Sequence, residues 1–226
     1  MPFTLKDKRA VLFDMDGVLY DSMPLHMRAW CTAMAEFGYT MTPQDVYANE
    51  GCTGAYTIRM ISAREGKGNV SDEEVQRIYN RKASVFQSFA KAPMMPGALE
   101  AMRKLSSHGV QIQVVTGSGQ QGLIERVQRD YEGFVVRRLM VTAFDVERGK
   151  PFPDPYLKGL EIGGISADEA VVIENAPLGL RSARAAGIET VAVNTGPLPD
   201  EDLLKEGPAV LYHSMRELAD SIDGLF

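Results

Sequence analysis

Asp14 and Asp16, in Phe13-Asp14-Met15-Asp16-Gly17-Val18, lie where the apolar run Ala10-Val11-Leu12 gives way to a glycine turn. Residues i and i+2 of a strand share a face, and a glycine lets the chain turn sharply after them. Both carboxylates are thus expected to converge beyond the carboxyl end of the strand, where open α/β sheets place their ligands. Two carboxylates so close repel one another, and the usual remedy is a hard cation with oxygen ligands, most simply Mg²⁺. One of the pair is then free to act as a nucleophile.

Three more segments after apolar runs carry groups suited to the same chemistry. Thr116-Gly117-Ser118-Gly119 follows Val114-Val115 and offers hydroxyls and backbone N–H groups for an anionic oxygen. Gly149-Lys150-Pro151-Phe152-Pro153-Asp154-Pro155 holds a lysine among three prolines, whose fixed φ stiffens the backbone and positions the charge. Glu174-Asn175 follows Val171-Val172-Ile173 as an acid–amide pair fit for metal coordination.

The elements that must position these groups alternate in type. Strands are expected over 9–13, 110–116, 139–142, 170–174, 190–194 and 209–212, with helices over 97–108, 120–131, 154–163 and 178–186. That alternation predicts an α/β fold, a Rossmann-like doubly wound parallel sheet with helices on both faces. Between about 23 and 91 the pattern changes to apolar residues at helical spacing, with Trp30, Met34 and Phe37 on one helix face and Val75, Ile78, Tyr79, Val85 and Phe86 on another. Ser71 with Glu74 reads as a capping box. The chain is therefore divided into an α/β core over 1–21 and 95–226 and an inserted all-helical cap over 22–94, a lid above Asp14 and Asp16.

With 226 residues, 45% hydrophobic and 24% charged, the chain is long enough for a sizeable core and has ordinary globular composition. A net charge of −6 gives no reason to expect nucleic acid or an anionic membrane as partner, so an anionic substrate must be met by local cations. There is no secretory pattern at the start and no apolar run of about 18 residues, so a cytoplasmic, soluble monomer is expected. Cys31 and Cys52 have no metal-binding spacing and read as packing residues.

In this order, the motifs resemble those of the haloacid dehalogenase superfamily of phosphotransferases, over nearly the whole chain. The first motif, DxDGxxxDS, is matched by Asp14 to Ser22, the second by Thr116, the third by Lys150 before Pro151, and the fourth by Glu174-Asn175. The helical insert is similar to the cap of the β-phosphoglucomutase-like branch. The resemblance implies Asp14 as nucleophile forming an aspartyl-phosphate, Asp16 as acid/base, and Thr116, Gly117, Ser118 and Lys150 as holders of phosphoryl oxygens. It also implies Mg²⁺ bound through Asp14, Asp16 and the motif-four pair Glu174 and Asn175. The partner it implies is a small phosphorylated substrate.

Two departures bear on substrate. Motif four normally ends in Asp, where this chain has Asn175, and the cap loop Asn49-Glu50-Gly51-Cys52-Thr53-Gly54 has Glu50 and Gly54 where the mutases carry Lys and Arg. Glu50 is expected to close over the site, restore the charge missing at Asn175 and leave room only for a small substrate. With Val141-Thr142-Ala143-Phe144-Asp145-Val146, these features resemble the inorganic pyrophosphatases of this branch. His26 and Lys82 match mutase cap positions, so a sugar phosphomutase is the alternative, a catalytically inactive phosphometabolite-binding protein is the third reading, and both residues are candidate substrate contacts.

Overall fold

The computed structural model describes residues 3–226. The chain opens with β1 (Ala10–Phe13), then forms α1 (Met23–Glu36), α2 (Pro43–Ala48), α3 (Gly54–Arg64) and α4 (Asp72–Gln87) before the alternation resumes. It continues through α5 (Ala98–Ser107), β2 (Gln111–Val115), α6 (Gln121–Asp130), β3 (Met140–Val141), α7 (Asp154–Gly163) and β4 (Ala170–Glu174). The last elements are α8 (Pro177–Ala185), β5 (Glu189–Val193), α9 (Asp200–Leu204), β6 (Val210–Tyr212) and α10 (Met215–Ser221).

The six strands make one parallel sheet in the order β3-β2-β1-β4-β5-β6. Strand order reverses between β1 and β4, which leaves a crevice at their carboxyl ends. β1 pairs in register with both neighbours, Phe13 lying opposite Val114 and Ile173. Its side chains alternate between faces: Val11 and Phe13 join the cluster beneath α5, α6 and α10, whereas Ala10 and Leu12 join that beneath α7 and α8. A strand buried on both faces reads as a continuous apolar run, which explains Ala10-Val11-Leu12-Phe13.

The four helices α1 to α4 bury a cluster of their own around Trp30, Met34, Ile58, Ile61 and Ile78. The two connections between this cap and the sheet run side by side, joined by Asp21 N–H to Pro93 O at 3.0 Å and Met95 N–H to Leu19 O at 2.8 Å.

Two local expectations differ. β3 stops at Val141 because Thr142 turns its N–H and hydroxyl onto the Asp145 carboxylate, at 2.8 and 2.6 Å, and leaves the ladder. Ser71 accepts the Glu74 N–H as half of a capping box, while complete boxes form at Thr42–Asp45 and Ser166–Glu169.

Leu12 is fully buried, and a Cβ at Gly159 of α7 would lie 2.6 Å from its Cδ2. A core this tight cannot collapse around a deletion, so Leu12→Ala is expected to cost about 2–5 kcal/mol, read as a lower midpoint in urea unfolding with an unchanged slope.

Candidate active site

Lys150, 1% exposed, sits at the bottom of the crevice. Its ammonium has three hydrogens, and it donates to Asp14 Oδ1, to Glu174 Oε1 at 2.7 Å and to Val115 O at 3.2 Å. Burial works against this charge, but the Asp14 and Glu174 carboxylates outweigh it and hold the lysine well above its usual pKa. Asp14 is pushed up to about 8, first by burial and then by the Glu174 and Asp16 charges, against the pull of Lys150.

Glu174 does not fit the expected role of metal ligand, because its lone pairs are spent. Oε1 accepts from Lys150 and from the Tyr156 hydroxyl at 3.1 Å, and Oε2 accepts the N–H groups of Asn175 and Ala176 at 2.9 and 3.1 Å. A carboxylate offers about four lone-pair sites, and all are taken. Glu174 therefore orients Lys150, and Gly179 makes room for it: a Cβ there would stand 1.7 Å from Glu174 Oε1.

On the other side of the crevice, Asp16 is held by the cap. Its Oδ1 accepts from Ser22 Oγ at 2.6 Å and lies 3.1 Å from His26 Nε2, while His26 Nδ1 lies 2.8 Å from Lys82 Nζ. An ammonium only donates, so Lys82 donates to Nδ1 and the His26 proton sits on Nε2, pointed at Asp16. Phe86 stacks on the imidazole, centroids 4.2 Å apart, and keeps the ring in plane. Burial alone would raise the Asp16 carboxyl, but His26, Ser22 and the Lys82 charge outweigh it and hold it at about 2.

The loop after β2 is shaped by its own hydrogen bonds. Thr116 Oγ1 accepts the Ser118 N–H at 3.0 Å, and the Ser118 hydroxyl accepts the Gln120 N–H at 3.3 Å. The Ser118 N–H, expected for an anionic oxygen, is thus spent on Thr116, whose own hydroxyl hydrogen stays available. Gly117 has no side chain because Gly51 O of the cap loop would lie 2.7 Å from its Cβ.

That approach brings Glu50 into the crevice. It is buried, its Oε1 accepts from Asn175 Nδ2 at 2.8 Å, and burial followed by the Asp14 charge raises its pKa well above the usual range. The positive φ of Gly17, +80°, opens the backbone beside this pair, where a Cβ would overlap Asn175 Nδ2 at 2.1 Å. Asp14, Asp16, His26, Glu50, Lys82 and Thr116 line a cavity of about 70 Å³.

Hard cations take carboxylate and amide oxygens. Among the described residues no three His, Cys, Asp or Glu side chains form a cluster suited to a metal ion, so the donor set must include other oxygens. Asn175 supplies one: with Nδ2 committed to Glu50, its Oδ1 is buried without a hydrogen-bond partner. An orphaned amide oxygen on the residue bonded to Glu50, with Glu50 and Asp14 both driven toward protonation, is the environment that a divalent cation would satisfy, and the residues fit Mg²⁺.

Ser22 and Tyr156 join the site unannounced. Ser22 stands within the quoted DxDGxxxDS segment, but Tyr156 lies on the apolar face of α7, where it reads as core until Glu174 is brought against its hydroxyl. Cys52 lines the cavity as well, and burial pushes its thiol up to about 12, which keeps it protonated and a poor nucleophile.

Residues 11–193 match the model of the haloacid dehalogenase-like hydrolase family. The chain is 31% identical over 211 residues to hexitol phosphatase A of Escherichia coli, covering 93% of both chains. It is 30% identical over 216 residues to "Putative pyrophosphatase PpaX" of Caldanaerobacter subterraneus, covering 95% of this chain and 94% of that one. Among solved structures it resembles "Putative beta-phosphoglucomutase" from Bacteroides vulgatus, with a TM-score of 0.93, 48% identity and coverage of 97% and 89% of the two chains. No helix among the described residues is long and apolar enough to cross a membrane. With its parallel sheet, its helical cap and four motif segments meeting at one crevice, the chain belongs to the haloacid dehalogenase-like hydrolases and is a phosphatase-type enzyme of that family.

Proposed function

We propose that the chain is a Mg²⁺-dependent phosphohydrolase that turns over inorganic pyrophosphate, or a phosphate of similar size, through an aspartyl-phosphate on Asp14. The observation that carries this reading is Glu50, a cap carboxylate buried against Asn175 and facing a cavity of only about 70 Å³. Sites for drug-sized ligands run to about 300–1,000 Å³, so a second sugar-sized group finds no room. Asn175 suits this arrangement better than the usual Asp, because its amide donates to Glu50 where a carboxylate would repel it.

In this reading an Asp14 oxygen attacks phosphorus as the bond to the departing phosphate breaks. Thr116 donates its hydroxyl hydrogen to an oxygen of the transferring group, and Lys150 passes its longest bond, to Val115 O, to another. Asp14, Asn175 and Glu50 would hold Mg²⁺, which when bound would supply the charge neutralisation on which phosphoryl transfer depends. Asp16, ionised at neutral pH, then accepts a proton from the water that releases phosphate from Asp14. An ionised Asp16 has no proton to give a leaving group, and a phosphate departs without one far more readily than a sugar alkoxide does.

A second reading, sugar phosphomutase, is favoured by one observation. Lys82 and His26, the two mutase-like cap positions, are both buried and form the hydrogen-bond chain to Asp16. A phosphate-release screen over pyrophosphate, hexose phosphates and nucleotides separates the two. Release from pyrophosphate above all others is expected; interconversion of β-glucose 1-phosphate and glucose 6-phosphate without pyrophosphate turnover overturns the first reading.

Glu50→Gln is expected to weaken Mg²⁺ binding about ten- to hundredfold in titration calorimetry; unchanged affinity removes Glu50 from the metal site. Asn175→Asp alone sets two carboxylates against each other, so the pair Asn175→Asp with Glu50→Gln is expected to lose less activity than the single changes sum to.

Lys82 is lowered to about 8 by burial, with the Asp16 charge opposing. Below that pH it can only donate to His26 Nδ1, which holds the Nε2 proton toward Asp16; above it the neutral amine can accept as well as donate, and its positive charge near Asp16 is lost. kcat/KM is therefore expected to fall as pH rises through about 8, and Lys82→Met is expected to be slower at neutral pH with that alkaline limb missing. A limb that survives the substitution belongs to another group.

A further inference from the structure

The Asn175–Glu50 hydrogen bond separates two spaces. Glu50 lines the catalytic cavity, whereas Asn175 and Gly17 line another of about 330 Å³, between the start of the cap and the loop after β5. Only Met23, among the described residues, lines both. Gly17 and Asn175 are buried while Asp21, Pro24, Gly196 and Pro197 are exposed, so this second cavity runs from solvent down to the Asn175 amide. Thr195 donates its hydroxyl to Gly17 O at 2.6 Å and fixes the inner wall. At the mouth, a Cβ on Gly196 would stand 3.7 Å from Cδ1 of Tyr47, in ordinary contact, so the ring and the glycine face one another across the opening.

The charges along the two approaches are opposite in sign. In the cavity of about 330 Å³, Asp21 is the charged residue among the described ones that line it. Burial, then the Glu50 and Asp21 charges, raises the Tyr47 phenol, which stands in the field of both carboxylates. The catalytic cavity is lined by His26 and Lys82, and the cleft of about 880 Å³ that borders it carries Lys91, Arg126 and Arg129. Basic groups on an approach favour a phosphate and oppose a metal ion; a carboxylate alone does the reverse. Space argues the same way. Mg²⁺ keeps several of its waters, and about 330 Å³ accommodates them where a catalytic cavity of about 70 Å³, shared with substrate, does not.

We propose that this cavity is the route by which a divalent cation enters and leaves the site, separate from the route of the phosphate. Asp21 draws the ion to the mouth, the gap between Tyr47 and Gly196 admits it, and Asn175 Oδ1, buried without a hydrogen-bond partner, is the first ligand at the inner end. Metal can then exchange while substrate occupies the catalytic cavity. Gly196 keeps the route open, since a larger side chain there would start against the Tyr47 ring and fill the gap.

The inference rests on the reading of Asn175 and Glu50 as metal ligands, and two measurements keep them apart: an equilibrium titration tests the site, and rates of exchange test the route. Mn²⁺ serves as the probe, because its free-ion EPR signal is lost on binding. Uptake is read after rapid mixing of Mn²⁺ with wild type, Gly196→Leu, Tyr47→Ala and Asp21→Asn, and release after mixing the loaded proteins with excess Mg²⁺. A barrier on the route changes uptake and release by the same factor and leaves Kd unchanged, which damage to the site does not. Gly196→Leu is therefore expected to slow both by about tenfold or more, the effect of about 1.4 kcal/mol on a barrier. Tyr47→Ala is expected to speed both, again at unchanged Kd. Asp21→Asn is expected to slow uptake and to reduce its dependence on ionic strength. Unchanged rates in Gly196→Leu and Tyr47→Ala overturn the route, as does a Kd that changes in step with the release rate in both. Should Gly196→Leu fail to fold, Tyr47→Ala decides alone: faster exchange at unchanged Kd supports the route and any other result overturns it. Wild type that binds no Mn²⁺ overturns the metal reading together with the route; tight binding with unaltered exchange rates in the variants overturns the route alone.

Discussion

One buried ammonium organises the catalytic end of this protein. Lys150 has three hydrogens and three oxygen partners, from the loop after β1, the last residue of β2 and the last residue of β4. An unpaired charge at that depth would cost several kcal/mol, so the lysine makes the ends of three neighbouring strands interdependent. Glu174 completes the arrangement by filling all four of its lone-pair sites, which leaves it no capacity for a metal and sets Asn175 in the position next to it. Asp14 is consequently oriented on one oxygen and free on the other, the state a nucleophile needs.

The cap contributes by reach rather than by bulk. Its own apolar cluster packs its four helices together, and three polar or aromatic side chains project from it: Glu50 to Asn175, His26 to Asp16, and Tyr79 past Gly54. Glu50 meets the Asn175 donor and His26 the Asp16 acceptor, while Gly54, itself a cap residue, leaves room for the Tyr79 ring. Close approach is possible because Gly17, Gly51 and Gly117 present backbone where a side chain would collide. Electrostatics on the two sides of the cavity then diverge. Asp16 is kept ionised by donors, whereas Asp14 and Glu50 carry more negative charge than their surroundings offset, the asymmetry that a cation relieves.

The connection between the two parts is itself gripped by the core. Tyr131 donates its hydroxyl to Leu19 O, Arg126 lies over the Tyr20 ring and donates to Ala92 O, and Asp130 accepts from both Arg126 at 2.8 Å and Tyr20 at 3.1 Å. Both strands of the linker are thus tied to α6, the helix that follows the loop of Thr116. The linker is fixed to the core on both of its segments, below the crevice in which Glu50 meets Asn175.

Much of this was legible in the chain. Alternating apolar runs and helical periodicities determine the doubly wound sheet and the helical insert, because burial on both faces of a parallel sheet leaves a strong local signature. Asp14, Asp16, Thr116 and Asn175 stand just past apolar runs, so their convergence follows from the rule that strand ends share one edge, and Lys150 is marked by the prolines around it. Three things were not legible. Glu174 is a carboxylate beside Asn175 and looks like a ligand until the buried Lys150, 24 positions away in sequence, is found on its Oε1. Tyr156 and Tyr79 read as apolar-face residues, since periodicity registers the ring and not where the hydroxyl ends. The residue types and the topology were local properties, determined by the sequence itself; which lone pairs are filled, which amide oxygen is left orphaned and how small the cavity is were decided only by tertiary packing, because those depend on groups far apart in sequence competing for the same few ångströms.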